Sequence, residues 1–149
     1  MTKNGYYQLA PTVTVAGQCS GVDKTKLINK GLVCPYCDCF TQLVDSAEFY
    51  NGTSYGPVYA CRPCRSWVGV HRGTTAALGR VADGELRNAK YMAHYYFDII
   101  WRNKHMPRKQ AYKWLAKQLR IPAKDCHIGW FDLKQCNKVI EVSRKFLNI

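Results

Sequence analysis

The chain is poor in acid. Asp and Glu together number 10 among 149 residues, against 22 Lys and Arg, so the formal net charge is +12. A site that gathers several carboxylates around a catalytic metal has little to draw on. Long apolar runs are missing too. The longest candidate, Tyr95 to Trp101, is broken by Asp98 and falls well short of the ~18–20 residues a membrane helix needs. The first twenty residues, MTKNGYYQLAPTVTVAGQCS, lack the charged start and apolar block of a secretory signal. No Walker A loop, nucleotide-binding glycine motif or nucleophile signature occurs, and nothing repeats at 20–50 residues beyond a doubled Cys-x-x-Cys. These gaps lead away from membranes, export and nucleotide chemistry. The expected location is the cytoplasm.

What the chain does have is cysteine, eight in all. In a reducing compartment, clustered cysteines bind metal more often than they pair. Cys34-Pro35-Tyr36-Cys37 and Cys61-Arg62-Pro63-Cys64 share one spacing, with residues 38–60 between them. CPYC alone also suits a redox dithiol, but that chemistry places the first Cys at a helix N-terminus, where its pKa falls. Here CPYC runs into DCFTQLV, a β-rich stretch. Two knuckles, one from each pair, instead close a tetrahedral shell around a single structural Zn2+, with Cys34, Cys37, Cys61 and Cys64 as ligands. Cys39 stands close enough to be a substitute ligand, although its spacing fits neither knuckle. Cys19 reads as a loop thiol. Cys126 and Cys136, with His127 between them, outline a second metal site, but Cys136 falls on an apolar helix face where cysteine acts as a small hydrophobe.

The pattern predicts three segments. Residues 1–30 show little periodicity and read as a loosely packed N-terminal arm. Residues 31–80 read as a zinc-ribbon-like module. FTQLVDS, AEFYNGTSYGPVYAC and SWVGVH supply strands, with Asn51-Gly52 and Tyr55-Gly56-Pro57 as turns,. Residues 81–149 turn helical, forming a basic three-helix module. Asp83 is placed to cap the first helix and Glu85 to favour its dipole; Leu86, Ala89, Ala93, Tyr96, Phe97 and Ile100 mark its buried face. The second starts at Pro107, buries Ala111, Trp114, Leu115 and Leu119, and stops before Ile121-Pro122. The third is opened by Asp132 with Gln135 as a capping box, and its apolar face is Cys136, Val139, Ile140, Ser143 and Phe146. The fold class expected is α+β: a small zinc-ribbon-like β module followed by three α-helices packed against it.

From Leu32 to Val142 the chain resembles a family of uncharacterised zinc-finger-containing proteins of bacteriophages and bacteria. The resemblance is carried by the four knuckle cysteines, by VGVHRGT, LGRVADGELR, AHYYFDIIW and AYKWLA, and by CHIGWFD followed by Cys136. The chain departs from the pattern in its compact second knuckle, CRPC, and in Ala77 before Leu78-Gly79, a position that reads as turn. The resemblance implies a phage or prophage setting and supplies no activity.

Charge then argues for an anionic partner. Between Ile99 and Lys124 lie eight basic residues and no acid. Lys109, Lys113 and Lys117 fall at i, i+4, i+8, with Arg120 continuing the row, so that one helix face can track phosphates. Arg62, Arg65, Trp67 and Arg72 surround the second knuckle, where guanidinium meets phosphate and indole stacks on a base. Trp67 packing the back of the ribbon is the competing reading. The dozen or so residues between the last two helices are too many for a tight helix-turn-helix, which points away from base-edge reading. The function expected is zinc-dependent, basic nucleic-acid binding, of DNA or RNA, without strong sequence specificity. Two alternatives stand beside it. One is a protein-interaction module docking on a host or viral nucleic-acid enzyme. The other is a zinc-ribbon nuclease using His71, His94, His127, Asp83, Glu85 and Asp98. Against it, Asp83 and Asp132 are better explained as caps, and His94 as a hydrogen-bonded structural histidine; no enzyme is expected.

Overall fold

A computed structural model describes residues 23–149, and it divides the chain into two compact units, with the break after Asp83. Cys19 and most of the N-terminal arm lie outside the described residues. The end of that arm is not irregular: Lys24–Asn29 forms a short helix, α1, whose N-cap Asp23 accepts the Thr25 amide at 3.0 Å.

The first unit is built on a three-stranded antiparallel sheet in the order β1 (Gln42–Asp45), β2 (Pro57–Cys61), β3 (Ser66–Gly69). Its register pairs Val44 with Val58 and Cys61 with Ser66. The connection from β1 to β2 opens with a 3-10 turn over Ser46–Glu48, capped by Asp45. It turns back through Asn51 and Gly52, both at positive φ, as the turn chemistry of those residues predicts. The strands come out shorter than the segments read as strand, because this 3-10 turn occupies the start of the second. Arg80, Val81 and Ala82 stay with the ribbon rather than joining the helical part. Ala82 bridges Trp67, and Val81 is fully buried against Cys34 and Cys61. The loop carrying Ala77 is more than a turn. Ala77 bridges Val70, and a Cβ built on Gly31, itself at φ +72°, would stand 2.8 Å from the Ala77 methyl.

The second unit is helical: α2 (Gly84–Arg102), α3 (Arg108–Leu119) and α4 (Leu133–Leu147), with two 3-10 turns between α3 and α4. α2 begins directly after Asp83 with Glu85 in its first turn, and buries Leu86, Ala89, Ala93, Phe97 and Ile100. Its main helical neighbour is α4. α4 starts with the full capping box, Asp132 accepting the Gln135 amide at 2.8 Å and Gln135 returning to the Asp132 amide at 3.1 Å. Several details differ from the periodic reading: Tyr96 on α2 and Ile140 on α4 are only half-buried. On α3 the buried set is Ala111, Leu115 and Ala116, while Trp114 and Leu119 are half-buried. On α4 it is Val142 that enters the core, and Phe146 stays 37% exposed. Pro107 is the N-cap of α3 rather than its first residue. Among the described residues no helix is long and apolar enough to cross a membrane.

Candidate metal centre

Both knuckles are shaped by backbone. After each second cysteine comes a residue at positive φ, Asp38 (63°) and Arg65 (47°), in the left-handed region where glycine is the unstrained choice. The first knuckle closes with the Asp38 amide donating to the Cys34 carbonyl at 2.9 Å and the Cys34 amide to the Cys39 carbonyl at 2.8 Å. The second closes with the Arg65 amide donating to the Arg62 carbonyl at 3.1 Å. Lys24 holds Asp38 at 2.6 Å, tying α1 to the first knuckle.

This backbone brings four sulfurs together. Those of Cys34, Cys37, Cys61 and Cys64 all lie within 4.8 Å of one another, and Cys37 Sγ stands 3.6 Å from Cys61 Sγ. A tetrahedron with Zn–S bonds of ~2.3 Å has sulfurs about 3.8 Å apart, so the spacing fits zinc and is too wide for a disulfide. Cys34 and Cys61 are buried, Cys64 half-buried and Cys37 exposed. Amides point at sulfur as a knuckle requires, from Cys39 to Cys37 and from Cys64 to Cys61. Burial works to raise the Cys37 pKa, but the Cys39 amide and the hydrogen bonds of the neighbouring thiols bring it down to about 7. Burial dominates elsewhere, pushing Cys61 up and Cys64 up to about 11. The fully buried Ser66 hydroxyl lies 3.5 Å from Cys34 Sγ, an outer partner for that sulfur. Four thiolates leave no open position, which makes the centre structural rather than catalytic.

The other described cysteines are not part of the cluster. Cys39 Sγ turns to the Cys37 carbonyl at 3.8 Å and is not among the four. Cys126 and Cys136 are buried, and burial pushes Cys126 up to about 11. His127 packs on Trp130 at 4.0 Å and its Nε2 meets the Lys124 carbonyl. The four knuckle cysteines form the one metal-binding cluster among the described residues.

Around the second knuckle the basic residues have different circumstances. Arg62 is engaged: Nε and Nη2 clasp the two Glu48 carboxylate oxygens at 2.8 and 2.9 Å, and Nη1 reaches Gln42 Oε1. That clasp holds the Glu48 carboxyl below its ordinary range. Trp67 is stacked on Phe49 at 4.4 Å and donates through Nε1 to Tyr50 Oη at 3.1 Å, so it packs the ribbon. Arg65 and Arg72 are exposed. On α3, Lys109, Lys113 and Lys117 are all exposed, and none of the ion pairs among the described residues involves them. Arg120 does not continue the row, because it is the left-handed C-cap of α3 at φ +56°. The histidines are scattered, and His94 is not a hydrogen-bonded core residue. It stands on the exposed side of α2 beside Tyr91, Tyr95 and Asp98, where desolvation lowers its pKa and Asp98 opposes the shift.

A small antiparallel sheet whose two knuckles converge four thiols is a zinc finger of ribbon-like form, with helices following it. The chain belongs to the family of the zinc-finger-containing domain, whose profile matches residues 30–146. Neither the curated proteins nor the solved structures yield a significant match. Zn2+ is its cofactor, one ion on Cys34, Cys37, Cys61 and Cys64.

Proposed function

We propose that this zinc finger protein binds nucleic acid, DNA or RNA, without strong sequence preference and without catalysing a reaction on it. The observation that carries the reading is the exposed row of Lys109, Lys113 and Lys117 on α3, which no carboxylate of the described residues neutralises. A solvated helix face usually mixes charge of both signs; a single-sign row suits a line of phosphates. Arg120 at the C-cap of α3, and Arg65 and Arg72 on the ribbon, are further exposed cations in addition to this row's own charge. Arg62 is left to brace the ribbon, since Glu48 already holds its charge, and Trp67 to pack it. The absence of sequence reading is supported by the residues between α3 and α4, which hold two 3-10 turns rather than a tight turn. The setting proposed is the cytoplasm of a bacterial cell or a phage host, on the strength of the family resemblance.

Binding of random oligonucleotides across a salt series tests this. Each phosphate neutralised adds about 0.7–0.9 to the slope of log affinity against log salt. The variant carrying Lys109→Glu, Lys113→Glu and Lys117→Glu should lose binding while keeping its zinc and helicity. One observation favours a second reading, docking on a protein: Tyr91 and Tyr95 stand exposed one turn apart on α2. A wild-type protein with no salt-sensitive binding at low ionic strength would make that reading the better one.

A further inference from the structure

Between α3 and α4 lies an open groove of about 890 Å³. Its floor holds two aromatic rings, Trp114 and Phe146, set edge to face at 5.2 Å and 61°. Helical periodicity assigns both rings to the core. The buried positions are instead Leu115 and Ala116 on α3 and Val139 and Val142 on α4; Trp114 is half-buried and Phe146 37% exposed, so part of each ring faces the groove. The rim is basic. Arg120 comes from the C-cap of α3, and Lys134, Lys138 and Lys145 come from α4. Glu141 is the one acid in the lining, and Lys138 already holds it at 3.0 Å. Lys117 follows Trp114 by three residues, so the helix surface makes them neighbours, while Lys109, Lys113 and Lys117 themselves lie outside the groove's lining.

We infer that this groove takes unpaired bases of a single strand, which stack on Trp114 and Phe146 while Arg120, Lys134 and Lys145 hold the flanking phosphates. The inference rests on the nucleic-acid reading above and adds to it a preference for single strands. Charge complementarity selects a polyanion. Of the polyanions, only one that offers flat π faces uses the rings as well. Base-on-aromatic stacking is tolerant of sequence because every base has such a face. A duplex keeps its bases paired inside and can reach only the rim and the lysine row.

The test uses the intact zinc-loaded protein and four labelled probes: three single-stranded 12-mers of equal charge, (dT)12, (U)12 and an abasic strand, and a 12-base-pair duplex. Wild type should bind (dT)12 about fivefold or more tighter than the abasic strand, the lower end of what stacking supplies per base. Trp114→Leu and Phe146→Leu keep apolar bulk in case alanine variants do not fold. Each should erase most of that preference and leave duplex binding unchanged. The (U)12 arm separates RNA from DNA, and a preference for either over the abasic strand supports the groove. Equal affinity of wild type for (dT)12, (U)12 and the abasic strand would overturn the inference, as would leucine variants that keep the preference. In both cases the lysine-to-glutamate variant would still lose all binding, so the function itself would survive. Failure of wild type to bind any of the four probes removes both.

Discussion

Removing zinc should unfold the ribbon, and the structure indicates by what margin. Among the described residues of the first unit, the buried apolar side chains larger than alanine and cysteine are Val33, Val44, Val58 and Val81. At ~1.5–2 kcal/mol each, they contribute roughly 6–8 kcal/mol. Structural zinc in small domains contributes about 10–16 kcal/mol. The ion therefore outweighs the whole of that apolar set, and chain entropy has still to be met. Two perturbations follow: stripping with a strong chelator, and Cys61→Ser, which replaces a buried ligand paired in register with Ser66. Hydrogen exchange read by mass spectrometry, with elemental zinc measured on the same samples, is the assay. β2 is the central strand, bonded on both sides, so its amides should be the most protected of the unit when zinc is present. After zinc is removed they should exchange at the rate of an open chain. Protection of residues 57–61 that persists in zinc-free protein would refute the reasoning, as would full zinc retention by Cys61→Ser.

Two further outcomes check assignments made from single contacts. Arg62→Ala breaks the clasp on Glu48 and should cost the ribbon up to about 1 kcal/mol, as a part-exposed ion pair does. Because that charge is already spent within the fold, the salt slope of nucleic-acid binding should not change. Asp132→Ala removes the acceptor of the Gln135 amide, one arm of the capping box, and keeps the backbone amide that donates to the Gln135 side chain. It should destabilise the helical unit by about 1 kcal/mol in urea titration and leave the zinc content at one per chain.

The sequence marks the metal site plainly because ligand spacing is local chemistry: two Cys-x-x-Cys pairs fix two knuckles whatever lies between. Caps are legible for the same reason, since Asp132 and Gln135 are three residues apart. What periodicity cannot do is choose among residues on one side of a helix. Val142 and Phe146 are a turn apart on α4, and which of them is buried depends on where the neighbouring helices end. Arg120 looks like the next step of the lysine row until the backbone turns left-handed beneath it. The pairing of Arg62 with Glu48 joins residues fourteen apart in the chain and leaves no trace in local pattern. α1 escaped notice because six residues with none buried carry no apolar period, although Asp23 ahead of them is a cap signal. The place of Val81 behind the sulfurs follows from a bridge between Trp67 and Ala82 that no spacing announces.

The contact between Gly31 and Ala77 restricts how this protein can vary over time. Position 31 has no route to a side chain, because its backbone turns left-handed and the Ala77 methyl already fills the space. Position 77 is half-buried, and its methyl is the group that a side chain at position 31 would meet. Loss of that methyl would clear the space, but the left-handed backbone turn would still hold position 31 to glycine,. Glycine at position 31 is therefore fixed twice over, by its backbone and by its neighbour, whereas the exposed lysines of α3 meet no such steric limit.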